Sequence, residues 1–130
     1  MGGVPLFYGS QEVGRAATLP FFTNTTLDWN ANPDMLTAYR SMMEFYTGSE
    51  AARKGSLVSY PYADACVFTK TSGTEEILVM VNVRNSAISI DFTPGEGTIY
   101  SDVFMGTPID REHNTVTLEP FQYVIARKIR

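Results

Sequence analysis

Residues 76–92 read EILVMVNVRNSAISIDF, and the fold turns on this stretch. Its first half, Ile77 to Val81, is apolar without alternation, the pattern of a strand at the centre of a sheet and covered on both faces. Asn85-Ser86 then interrupts the chain as a turn signal. In the second half Ile88, Ile90 and Phe92 alternate with Ser89 and Asp91, giving a strand with one buried and one wet face. No helical period survives in either half, so the surrounding region is expected to be all-β.

The same character extends in both directions. Candidate strands run over 57–62, 65–70, 76–83, 87–92, 98–103, 115–119 and 122–128, separated by Ser72-Gly73, Pro94-Gly95-Glu96-Gly97, Met105-Gly106 and His113-Asn114. Short strands at this spacing predict an antiparallel Greek-key β-sandwich over residues 57–130, with a pairing order that periodicity leaves open. Val79, Val81, Ile88, Ile90, Val116, Leu118 and Ile125 are expected to face inward.

Residues 1–56 are organised differently. Val4 to Tyr8 is an apolar run opened by Gly3 and closed by Gly9, the pattern of a short buried parallel strand, and it is released at once into Ser10, Gln11 and Glu12. Two readings stay open for these three residues: a solvated turn, or a functional loop at the C-terminal end of a (β/α)₈ barrel strand. Residues 15–32 lack any period and predict a long ordered loop. Asn32, Pro33 and Asp34 then supply an N-cap, a first-turn proline and a first-turn acid, announcing a helix that Gly48 ends. Met35, Tyr39, Met42, Met43 and Tyr46 form its apolar stripe, read as core packing. One further helical turn is expected over 49–54, with Gly55 at its C′ position.

Composition bounds the function. The chain has 130 residues, 44% hydrophobic and only 18% charged, which suits a packed globule and excludes disorder. Its net charge of −4 and scattered basic residues disfavour nucleic acid and anionic membranes as partners. Cys66 is the single cysteine and is expected to be a buried, inert thiol. His113 lies in a polar turn without other ligands at suitable spacing, so a solvated histidine is expected and neither a metal nor a cofactor is implied.

These segments, taken in order, resemble the C-terminal end of the α-amylase family of glycoside hydrolases. Gly3, Pro5, Phe7 and Glu12 fall in register with the family's eighth barrel strand, which typically reads Gly-x-Pro-x-x-Tyr-Tyr-Gly-x-Glu. Gly9-Ser10 departs from it, because an aromatic and a glycine are usual there. Leu27-Asp28-Trp29 resembles the segment before the final barrel helix, and Asn32-Pro33-Asp34 with Tyr39-Arg40 resembles the opening of that helix. Residues 51–57 are similar to the link that follows. Cys66-Val67-Phe68 with Leu78-Val79-Met80-Val81-Asn82, then residues 100–106 and Leu118-Glu119-Pro120-Phe121, resemble the strands and closing turn of the C-terminal sandwich.

The resemblance implies one strand and one helix of a (β/α)₈ barrel over 1–56, a sandwich domain over 57–130, and a parent enzyme that works with retention on α-glucosidic linkages of starch-type glucans. It implies no catalytic residue in this chain, because the family's three catalytic carboxylates lie on earlier barrel strands. Ser10, Gln11 and Glu12 would stand at the rim of the parent's cleft. Asp28, before Trp29 at a loop end, is read as a structural hydrogen-bond acceptor. Two alternatives to a silent fragment stay open: a sandwich that only covers and stabilises the barrel, and a carbohydrate-binding module that presents Tyr60, Tyr62, Tyr100 and Tyr123 to sugar rings. Their exposure separates these two. Val4, Leu6 and Phe7 need cover, from the sandwich, from the helix or from a second copy, and self-association through the barrel remnant is favoured.

Overall fold

The computed structural model describes residues 4–93, 95, 97–109 and 115–130. They fall into two compact units, 4–48 and 49–130. His113 and its turn, and parts of the turn at 94–97, lie outside the described residues.

In the first unit, the anticipated helix α1 runs Pro33–Gly48. The Asn32 side-chain carbonyl accepts the Met35 N–H at 3.0 Å, the cap that Asn-Pro-Asp predicts. Met35, Tyr39, Met42, Met43 and Tyr46 do share burial, but each is only half-buried and α1 holds no fully buried residue. Before it, residues 15–32 contain only turns and bends, as expected.

The strand expected over Val4–Tyr8 is absent. This segment has no regular structure and no ladder partner among the described residues, and Val4 and Leu6 are 84% and 85% exposed. A parallel strand exists only through hydrogen bonds to flanking strands, and nothing in this unit supplies them. Phe7 alone finds cover, edge-on to Tyr39 at 5.0 Å.

The second unit is mainly antiparallel β. It opens with a short helix α2 (Glu50–Lys54), followed by β1 (Ser56–Tyr60), β2 (Ala65–Ser72), β3 (Glu75–Asn82), β4 (Ile88–Asp91), β5 (Tyr100–Asp102), β6 (Thr115–Leu118) and β7 (Tyr123–Lys128). All seven coincide with predicted strands to within a few residues. One sheet has the order β1-β2-β3-β7-β5, and β4 pairs with β6 in a second, so the chain crosses between sheets at every connection from β3 to β7. Ile77 to Val81 occupies the central strand, as its uninterrupted apolarity predicts.

The core lies between the sheets: Val67, Leu78, Met80, Val124 and Ala126 from the larger, Ile90, Val116 and Leu118 from the smaller, joined by Phe92 and Tyr100. Ile90, Val116 and Leu118 face inward as expected, and Ile88 packs at the edge of the core. Val79, Val81 and Ile125 do not. The register Leu78↔Ala126 and Met80↔Val124 puts the even positions of β3 inside, so Val79 and Val81, with Ile125 across from Val79, lie half-buried on the outer face. Cys66, paired with Val81, is on that outer face too and is exposed rather than buried. An apolar run carries no parity, and a one-residue slip exchanges its faces.

Residues 49–56 belong with the sheet, not with α1. Ser49 and Ala51 are fully buried. The Ser49 hydroxyl accepts the Ala52 N–H at 3.0 Å as an N-cap and donates to Glu75 Oε1 at 2.9 Å. Glu75 Oε2 accepts the Ala51 N–H at 2.9 Å. Lys70 on β2 closes the other end, its Nζ donating to the Ala52 carbonyl. Gly55 has φ −58°, so it is not the left-handed C′ residue anticipated. Its glycine answers crowding instead: a Cβ there would lie 2.5 Å from the Ala51 carbonyl oxygen and 2.9 Å from the Thr71 nitrogen.

A single buried polar side chain locks the turns at one end of the sandwich. Asn82, 1% exposed, donates from Nδ2 to the carbonyls of Ser86 and Glu119, each at 2.8 Å, and accepts the Arg84 N–H at 2.8 Å. Both sides of its amide are satisfied, which is the condition for burying it.

Candidate functional site

Ser10, Gln11 and Glu12 lie in a tight loop in which Gly9, Ser10 and Gly14 all adopt left-handed backbone, with φ of 64°, 60° and 65°. Gln11–Val13 forms a single 3₁₀ turn, closed by the Gly14 N–H donating to the Gln11 carbonyl at 2.9 Å. Ser10 is strained, because φ near 60° favours glycine, and it occupies the place where the resemblance leads one to expect glycine. A Cβ at Gly9 would come within 2.7 Å of Leu19 Cδ1, so a side chain there would require the Leu19 side chain to move.

The loop separates the three predicted side chains. Ser10 is buried and its hydroxyl donates to the Gly9 carbonyl; Gln11 is exposed; Glu12 is half-buried, with Oε2 unpaired among the described residues. Ser10 lines an open pocket of about 270 Å³ with Gly14, Arg15, Asp28 and Asn32. Arg15 donates to the carbonyls of Ala17 and Thr26, at 3.4 and 3.3 Å, and pins the following loop. Asp28 accepts the Asn30 N–H at 2.9 Å, the structural role read for it. The polar groups here mostly hold backbone, and Gln11 and Glu12 stand outside the pocket.

The larger opening is in the sandwich, a pocket of about 490 Å³ where the ends of β1 and β4 meet the start of β5. Tyr60, Tyr62 and Tyr100 line it together with Glu76, Asp91 and Lys128. Phe92 organises the aromatic wall, edge-on to Tyr60 at 5.5 Å and tilted against Tyr100 at 6.1 Å. The Tyr62 hydroxyl donates to the Asp91 carbonyl, and the Tyr100 hydroxyl donates to Glu76 Oε1. Lys128 Nζ stands 4.0 Å from the same Glu76 oxygen. Burial, then the hydrogen bond to Glu76 and its charge, push the Tyr100 phenol well above its ordinary range. Burial, followed by the nearby Asp91 and Tyr60, raises that of Tyr62.

The four tyrosines singled out from sequence therefore do not form a flat exposed platform. Tyr60 and Tyr100 pack on Phe92, and Tyr123 lies on the opposite face of the sheet, in register with Val81. Three of the four meet instead at the pocket, beside charged partners that the sequence reading missed. Glu76 shares the inward parity of Leu78 and Met80, so a carboxylate at an inward position was the available signal.

The two antiparallel sheets of the second unit define a β-sandwich domain. Residues 60–125 match the family described as Maltogenic Amylase, C-terminal domain, and the chain belongs to that family. The resemblance to the C-terminal part of the α-amylase family is thereby borne out. No curated protein matches the chain. Among solved structures, the trehalulose synthase MutB from Pseudomonas mesoacidophila MX-45 is 20% identical over 72% of this chain, with a TM-score of 0.60. The alpha-glucosyl transfer enzyme XgtA is 18% identical over 72%, TM-score 0.60, and AmyP, solved in complex with maltose, is 12% identical over 73%, TM-score 0.64. At these identities the likeness is one of fold. The chain spans 18% of the length of MutB and XgtA and 20% of that of AmyP.

Proposed function

We propose that this chain is the C-terminal part of an α-amylase-like glycoside hydrolase whose parent acts, with retention, on α-glucosidic linkages of starch-type oligo- or polysaccharides. The observation that carries this reading is the family match of residues 60–125 in a chain spanning only 18–20% of the related enzymes. On this reading the 130 residues are catalytically silent alone. Retaining hydrolysis needs two carboxyl groups about 5–5.5 Å apart across the anomeric carbon. Four of the carboxylates serve structure: Asp28 caps a turn, Glu75 holds α2, Asp64 pairs with Arg84 at 2.7 Å, and Asp102 accepts the Phe104 and Met105 N–H groups at 2.8 Å. Ser10, Gln11 and Glu12 belong to the rim of the parent's cleft. The sandwich stabilises the parent's barrel, a role supported by the row Phe68, Val79 and Ile125 across β2, β3 and β7, apolar and incompletely covered.

The test is a reducing-sugar assay of the purified chain with maltooligosaccharides. No turnover is expected. Turnover with contaminating amylase excluded would overturn the reading, since nucleophile and proton donor would then have to lie within these residues.

A further inference from the structure

We infer that the free edge of β1 pairs with the β1 of a second copy of this chain, antiparallel about a two-fold axis at Val58, so that the larger sheets of the two copies become one. The sheet order leaves β1 and β5 at its margins. The β5 margin is closed by its own chain: the Asp102 N–H donates to the Thr107 carbonyl at 2.8 Å, the Ile109 N–H donates to the Tyr100 carbonyl at 2.9 Å, and Pro108 bridges to Ser101. In the smaller sheet, Asn82 takes up the Leu118 carbonyl of β6, and Tyr62 takes up that of Asp91 on β4, a strand that also carries a charge. β1 has none of these guards. Its sequence Ser-Leu-Val-Ser-Tyr holds no charge, proline or glycine, and among the described residues no backbone hydrogen bond engages it except those to β2. A strand edge left open in this way is a template for another strand.

The side chains say which strand fits. Val58 lies opposite Thr69 and shares the inward parity of Tyr60, yet it is 54% exposed and takes no part in the core. Antiparallel pairing about Val58 sets that residue opposite its own copy, Ser56 opposite Tyr60, and Leu57 opposite Ser59. A β-branched residue then covers its own equivalent, with Tyr60 of each strand as a diagonal neighbour on the same face. A residue on a two-fold axis always meets itself, so a charge there would repel, and β1 presents none. Charge also selects the orientation. Lys54 stands just before β1, and parallel pairing would place the two lysines side by side. Antiparallel pairing carries them eight positions apart along the ladder, about 27 Å at about 3.4 Å per residue, beyond the reach of their repulsion at ordinary ionic strength. The inference is independent of the proposed parent activity.

Association through the exposed apolar residues of the first unit would mask this dimer, so the test uses the full chain carrying Leu6→Asp and Cys66→Ser. Ladder pairs alternate between close and wide. Either Val58→Cys by itself, or an equimolar mixture of Leu57→Cys with Ser59→Cys, therefore supplies a close pair that mild oxidation can join. The expected result is a covalent dimer from at least one of these two samples and none from Leu57→Cys or Ser59→Cys oxidised separately, since diagonal positions about 7–8 Å apart are out of disulfide reach. Sedimentation equilibrium of the unoxidised parent variant should approach twice the 14.4 kDa chain mass as concentration rises. Val58→Lys, at an exposed position, should weaken that association by about tenfold or more. A monomer at every concentration, a dimer that none of the cysteines captures, equal cross-linking in all samples, or undiminished dimer in Val58→Lys would overturn the inference. So would slow amide exchange along the free edge of β1 in a monomeric chain, which would seat another segment of the same chain there.

Discussion

At Glu75 one carboxylate accepts from the Ser49 hydroxyl and from the Ala51 N–H, and its Oε1 lies 3.2 Å from Arg127. Burial alone would raise its pKa. The hydrogen bonds from Ala51 and Ser49, joined by the Arg127 charge, outweigh that and hold it below the ordinary glutamate value. A carboxylate with a lowered folded-state pKa adds stability that is complete above the unfolded value, about 4.3, and is lost as pH falls through the folded one. Urea unfolding of the wild type should therefore weaken as pH drops below about 4.3, and Glu75→Gln should flatten that part of the profile while lowering stability at neutral pH by about 1.5–3 kcal/mol. An unchanged acid limb in Glu75→Gln would assign the pH dependence elsewhere. Position 75 gives no hint of this in sequence, because its partners are more than twenty residues away. Ser10 is the opposite case: the departure from glycine is visible in the sequence, but only the backbone angle of 60° shows that it costs strain.

Among the elements, β3 separates what periodicity carries from what it does not. Its apolar run announces a central strand, and it is one, with β2 and β7 on either side. Its facing is decided by register, which seats Leu78 and Met80 at 1% and 0% exposure against the second sheet while Val79 and Val81 look outward. Leu78→Ala should cost about 2–5 kcal/mol by leaving a cavity, whereas Val79→Ala, on the half-covered face, should cost less than about 1.5 kcal/mol. Equal losses in chemical denaturation would mean that the register is wrong. Helix α1 shows complementary behaviour: capping and period specify it locally, so it forms as read, yet its stripe stays half-buried because covering a stripe is a property of neighbours.

For the molecule as a whole, the exposed apolar residues of the first unit are expected to govern association in solution. Val4, Leu6, Tyr8, Phe21 and Phe22 are 71–100% exposed, all within the first unit. Apolar surface of this extent, part of it on a backbone without ladder partners among the described residues, invites association. The isolated chain is expected to self-associate through it, with light scattering giving a mass above the monomer's 14.4 kDa and Leu6→Asp shifting the distribution towards monomer. A monomeric wild type, unaltered by the substitution, would remove self-association from the account.

Sequence by itself determined what is local or periodic: the cap at Asn32, α1, the seven strands and their turns, and, through ordered motifs, the family. It could not determine what depends on partners distant in the chain. The faces of β3 and β7, the outward Cys66, the attachment of α2 to the sheet and the meeting of Tyr60, Tyr62, Tyr100, Glu76, Asp91 and Lys128 in one pocket all arise from strand register and sheet-on-sheet packing. Val4–Tyr8 marks the boundary from the other side. A sequence can specify a strand completely and still leave it unformed, because the hydrogen bonds that define a strand belong to its neighbours.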